Sequence, residues 1–160
     1  MQKGLKNTDK ISLLYDMASD NNIPVDEECP ESIIAMSVRF SNGKKVIALT
    51  DFEKYKYSEN NKMKHTKLEC FAHEMGHCMT ESFYAGYSSF DARAKHEYRA
   101  NKWATDFIIP FEDLCEAVKN GIRETWALAE HFGVSQSFIE KAITIHAHRG
   151  NTVPTELYAE

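Results

Sequence analysis

Glycine and proline are scarce, with seven and four among 160 residues. That excludes collagen-like and low-complexity chains. Positive charge is in deficit: 19 Lys and Arg stand against 24 Asp and Glu, for a net charge of −5. Such a balance offers no broad basic surface for DNA or RNA. Apolar runs stop after a few residues, as in Ile33-Ile34-Ala35-Met36 and Val46-Ile47-Ala48-Leu49. A membrane span needs ~20. Residues 1–20 are polar and mixed in charge, without an apolar signal core. The expected localisation is cytoplasmic, and the four cysteines (Cys29, Cys70, Cys78, Cys115) fit it as reduced thiols. Their spacing matches no zinc-ribbon pattern. What remains is ordinary globular composition, 42% hydrophobic and 27% charged. The length suits a single domain over residues 1–160, with a core over 1–110 and a helical C-terminal portion over 111–160.

Local patterning predicts an α+β fold. Thr8 is placed to cap a helix carrying Ile11, Leu14, Tyr15 and Ala18 on one stripe, ended by Asn21-Asn22 and Pro24. Residues 33–40 alternate, with Ile34, Met36, Val38 and Phe40 on one side and Ser37 and Arg39 on the other. Ser41-Asn42-Gly43 is a turn signal and residues 45–49 read as the returning strand of a hairpin. Residues 51–67 are polar without a period and read as a loop. Helices are expected over 67–81, 92–109 (stopped by Pro110), 111–119, 123–132 and 135–148.

The chemistry sits in Phe71-Ala72-His73-Glu74-Met75-Gly76-His77, which contains H-E-x-x-H. Residues four apart share a helix face, so His73 and His77 can place two imidazole nitrogens on one zinc ion. Glu74 then leans toward the open position of the metal, where it can take a proton from water. A catalytic zinc needs a third protein ligand. The next long helix offers Glu97, with Asn101 one turn on to accept the N–H of a ligating histidine and fix its tautomer. His96 is the rival ligand, but it is turned roughly 100° away on the helix.

Three blocks together resemble the ImmA/IrrE family of zinc metallo-endopeptidases. They are the 71–77 segment, Glu97-Tyr98-Arg99-Ala100-Asn101-Lys102-Trp103-Ala104, and Ile108-Ile109-Pro110. The resemblance runs from about Ile11 to His148. It implies a zincin-like, gluzincin-type fold: a small β-sheet, two ligand-bearing helices and a helical C-terminal portion. It implies one zinc per chain on His73, His77 and Glu97, with Glu74 as catalytic acid and base. It also implies a substrate class, the helix-turn-helix repressor that silences a phage or mobile element. Two positions depart from the family pattern: Cys70 stands where threonine is usual, and Met75 replaces leucine. The second is a volume-conserving exchange. Cys70, one turn before His73, reads first as a small core residue and second as a group at the metal rim.

Residues 128–139 look like a DNA-binding helix-turn-helix, with Ala129 packed between helices, Gly133 at the turn and Ile139 as anchor. The second helix offers Gln136, Ser137, Glu140 and Lys141, and little to grip phosphate. Packing or protein recognition is the expected role, and the expected partner is a protein substrate rather than nucleic acid or membrane. The alternative is a non-enzymatic regulator that uses these helices to bind DNA or a protein. The lysines between Lys44 and Lys67 read first as a solvated loop and second as a cleft wall for an acidic substrate segment. Tyr84, Tyr87 and His96 are candidate donors to the oxyanion of the tetrahedral intermediate.

Overall fold

The computed structural model describes residues 6–30, 33–53, 65–152 and 154. Its described elements are α1 (Asn7–Asp20), β1 (Val25–Cys29), β2 (Ala35–Arg39), β3 (Lys45–Thr50), α2 (Lys67–Met79), α3 (Phe90–Ile108), α4 (Phe111–Lys119), α5 (Thr125–Phe132) and α6 (Gln136–His148). The α+β class is as expected. The predicted loop falls partly on residues 54–64, which lie outside the described residues.

Two local expectations are corrected. The first helix begins one residue before Thr8, with Lys6 at the N-cap and the Asp9 side chain accepting from the Lys6 backbone N–H at 3.2 Å. A strand absent from the sequence reading, β1, pairs in parallel with β3, so the sheet order is β1-β3-β2. Its sequence, Val-Asp-Glu-Glu-Cys, carries almost no apolar signal because it is a largely exposed edge strand. The hairpin of β2 and β3 forms as predicted, with Ser37 opposite Ile47 and Met36 opposite Ala48. Its faces are informative: Ile34, Met36 and Phe40 stand exposed, whereas Ser37 turns inward toward α2.

One buried cluster joins α1 (Leu14, Ala18), β3 (Ile47, Leu49), α2 (Phe71, Met75), α3 (Ala104, Ile108) and the C-terminal helices (Leu128, Phe132, Ile139, Ala142). Helices α2 and α3 pack closely at Gly76, where an added Cβ would lie 2.6 Å from the Ala100 carbonyl oxygen. That approach is open only to glycine. The C-terminal end of α3 is held by two donors, Lys10 Nζ to the Ile108 carbonyl at 2.7 Å and His146 Nε2 to the Ile109 carbonyl at 2.9 Å. Both satisfy carbonyls that a helix end leaves orphaned. At the turn between α5 and α6, Gly133 adopts φ 62°, and its carbonyl accepts from Asn7 Nδ2 at 2.9 Å.

Candidate metal centre and cleft

Helix α2 starts at an N-cap, Thr66, whose hydroxyl accepts from the Glu69 N–H. It presents His73 and His77 one turn apart, with ring centroids 4.7 Å apart and planes nearly perpendicular. Each ring is fixed through Nδ1. His73 Nδ1 lies 3.2 Å from Asn101 Oδ1, and His77 Nδ1 lies 2.7 Å from the Ser82 carbonyl. Carbonyl oxygens only accept, so both Nδ1 atoms carry the proton. The Asn101 amide orientation has its own support: Lys141 Nζ, a pure donor, lies 3.0 Å from the same Oδ1. A left-handed residue, Glu81 at φ 51°, turns the chain so that Ser82 comes back beneath His77.

With Nδ1 protonated, the two Nε2 atoms present lone pairs to each other at 3.1 Å. A cation between them, a proton or a metal ion, relieves that repulsion. The Glu97 carboxylate closes the triangle, with Oε2 3.2 Å from His73 Nε2 and Oε1 3.3 Å from His77 Nε2. A tetrahedral site with bonds of ~2.0–2.1 Å has ligand-to-ligand edges of ~3.3–3.4 Å. The His73–His77 distance and the two distances to the carboxylate, which run to different Glu97 oxygens, lie near that value, and one ligand atom from each residue falls within 4.8 Å of the others, so the donor set can hold a small divalent metal. The two histidines, His73 first and then His77, hold the Glu97 carboxyl well below the usual carboxylate range. Burial pulls the His77 imidazole down, but its bonds to Glu97 and Ser82 outweigh this and raise it.

Glu74 follows His73 and is almost fully buried. Its Oε2 accepts from Ser37 Oγ on β2 at 2.6 Å, which fixes the carboxylate beside the three-residue cluster. Tyr84 donates to Glu97 Oε1 at 2.9 Å and lies against the His77 ring. Tyr87 is 95% exposed and lines neither adjoining cavity. His96 is not part of the ligand cluster; its Nδ1 is buried without a partner, and its ring packs on Tyr84. Two cavities of about 340 and 330 Å³ flank the cluster and share Ala35, His73, Glu74 and Glu97, so a continuous cleft passes the site along β2.

Sequence reasoning missed Ser37, Ser82, Glu69 and Lys141. For Ser37 a signal existed, its place on the polar side of an alternating strand. Glu69 is only 3% exposed and turns its carboxylate to the start of α6, where it accepts from the Ser135 backbone N–H and, at 3.0 Å, from Ser135 Oγ. Its Oε2 also lies 2.9 Å from His65 Nδ1. Two of the lysines, expected first in a solvated loop and second in a cleft wall, are committed to other partners. Lys45 bonds the Cys78 carbonyl and Glu81, and Lys67 bonds Glu27. Cys70 lines the cleft, and burial pushes its thiol up to about 12, so it stays protonated. Among the described residues no helix is long and apolar enough to cross a membrane.

No curated protein and no solved structure gives a match. The Peptidase M78 family model, described as the IrrE N-terminal-like domain, matches residues 57–144. That span is over half of the chain and carries both candidate ligand helices and most of α6. The chain belongs to the Peptidase M78, IrrE N-terminal-like family.

Proposed function

We propose that this protein is a zinc-dependent endopeptidase of zincin-like, gluzincin-type architecture. The observation that carries the reading is the convergence of two Nε2 lone pairs and one carboxylate at tetrahedral edge lengths. Two imidazoles and a carboxylate with an open fourth position is a donor set of catalytic zinc. A bound zinc ion supplies Lewis acidity, polarising the scissile carbonyl and making water acidic enough to attack at neutral pH. Glu74 takes the proton from that water and delivers it to the leaving amine nitrogen. Ser37 holds one carboxylate oxygen and leaves the other for the proton. Asn101 and Ser82 keep both histidines in the ligating tautomer. Tyr84 is the best-placed oxyanion donor, because it already reaches Glu97. β2 is an edge strand bordering the cleft, so an extended substrate can add to it by main-chain hydrogen bonds.

The substrate we propose is a cytoplasmic helix-turn-helix repressor. Selectivity fits a small enzyme whose cleft wall is built partly by its own C-terminal helix. Nucleic-acid binding is disfavoured for that helix. Its N-terminus, the part a reading helix presents to bases, is taken up by the buried Glu69 carboxylate. The test is Glu74→Gln. The amide is nearly isosteric and cannot accept a proton, so zinc content measured by elemental analysis stays near one per chain. Cleavage of a cognate repressor falls on the order of 10²–10⁴-fold. Comparable cleavage by the variant would overturn the mechanism, and full zinc retention by Glu97→Ala would overturn the ligand set in favour of His96.

A further inference from the structure

The cavity of about 340 Å³ on the α6 side of the cluster shares His73, Glu74 and Glu97 with the candidate site. Its remaining wall includes Ile34, Cys70, Phe138 and Lys141. We infer that this cavity receives the side chain of a substrate residue next to the scissile bond, and that Lys141 selects a glutamate there. The inference rests on the peptidase reading and deepens it by naming a substrate preference.

The charge inventory of the cavity leads to that choice. The walls from Ile34 and Phe138 suit the methylenes of a long side chain. Cys70 keeps its proton and adds no negative charge. Glu69 is a carboxylate in the lining, but its oxygens are engaged by Ser135 and His65. Glu97 belongs to the His73, His77 and Glu97 cluster and Glu74 lies beside it, where a bound divalent cation would offset them. Lys141 is different. It is exposed and, among the described residues, makes one hydrogen bond, to Asn101 Oδ1 at 3.0 Å, which leaves two donors of its ammonium group free of described partners. Among the described residues no carboxylate lies within ion-pairing distance of it. A cation with unused donors at the mouth of a partly apolar cavity is complementary to one buried carboxylate. A lysine or arginine in the same place would meet like charge, and an alanine would leave the apolar walls unfilled. Because Lys141 also touches Asn101, an acidic side chain bound here would sit one residue removed from His73, close enough to set register for the scissile bond.

The test uses the full-length zinc-loaded protein and peptide hydroxamates made in both orientations about the metal-binding group. One position is varied among Glu, Gln and Lys. Inhibitor dissociation constants are measured by fluorescence displacement, which needs no turnover. In one orientation the Glu compound binds on the order of tenfold tighter than Gln, and Lys is weakest. Lys141→Met levels the three, and Lys141→Glu reverses the order, with zinc content unchanged in Lys141→Met. Equal affinities in both orientations, or the same order in wild type and Lys141→Glu, overturn the inference while leaving the peptidase reading intact. A protein that binds neither zinc nor any hydroxamate overturns both.

Discussion

Replacing Gly76 with alanine tests whether the two ligand helices are positioned by their close approach at this residue. The added Cβ would lie 2.6 Å from the Ala100 carbonyl oxygen and 3.0 Å from the Ala100 Cα. Ordinary contact begins near 3.4 Å, so α2 and α3 must part by about 0.8 Å. His73 and His77 ride on α2 and Glu97 on α3. The edges of 3.2 and 3.3 Å would open toward ~4 Å, beyond what one ion with bonds of ~2 Å can span. Overpacking of this kind costs about 1–3 kcal/mol, while alanine in a helix interior recovers up to ~1 kcal/mol over glycine. If the helices yield in the metal-free protein, the strain reappears when a metal draws them together. At 1.4 kcal/mol per factor of ten, zinc affinity falls about 5- to 150-fold while metal-free stability stays within ~1 kcal/mol of wild type. Zinc competition against a chromophoric chelator, paired with urea unfolding of the metal-free protein, reads both quantities. Wild-type zinc affinity in Gly76→Ala would refute the argument that this contact sets the ligand geometry.

Asn101→Ala should weaken zinc binding about 10–100-fold, because His73 loses the acceptor that fixes its tautomer, and chelator competition would show it. Glu69→Ala should cost about 1–3 kcal/mol in urea unfolding and raise amide exchange at the start of α6; an unchanged midpoint would mean that α6 is held by packing alone. Burial pushes the Cys70 and Cys78 thiols up to about 12, so the native state keeps their protons while the unfolded chain gives them up. Stability contributed this way is present below the ordinary thiol value and lost as pH rises above it. Between pH 8 and 10 wild type should lose about 1.4–1.9 kcal/mol per buried thiol more than the Cys70→Ala/Cys78→Ala double variant, measured by urea titration at each pH.

The legible parts of the molecule were those where one helix carries both the signal and the chemistry. His73, Glu74 and His77 follow each other within one turn, and Glu97 and Asn101 are one turn apart, so spacing alone places each pair on a common face. Helices α2 to α6 were readable because their ends carry caps or breakers, such as Ser89, Pro110 and Ser135. β1 was not, since an exposed edge strand of acidic residues lacks the alternation that marks a half-buried one. The faces of β2 were visible but invert the usual rule. Its polar side carries Ser37, which reaches Glu74, while Ile34, Met36 and Phe40 of the apolar side are exposed. Ser82 depends on a backbone turn through a left-handed glutamate, for which sequence offers no reliable sign. Glu69 and Lys141 act across 66 and 40 residues of chain, and a single sequence cannot pair them.

The helix-turn-helix likeness illustrates why a motif is settled by what its surfaces touch. The geometry is present: Ala129 and Ile139 are buried, and Gly133 makes the left-handed turn. Part of the second helix is engaged within the protein, while Gln136, Ser137, Glu140 and Lys141 remain exposed. Ser135 binds Glu69, Phe138 and Lys141 line the cleft, and Lys141 reaches Asn101 beside His73. The second helix of the unit is therefore a wall of the candidate site, and Leu128, Phe132 and Ile139 belong to the same buried cluster as Leu14 and Phe71. Removing everything after Asn120 would open that cluster, so loss of cleavage in such a truncation would report unfolding as readily as lost recognition. Point changes on the cleft side of α6 separate the two. A variant that binds zinc, unfolds at the wild-type urea concentration and still fails to cleave a repressor would show that α6 recognises substrate; one that cleaves normally would return the helix to a packing role.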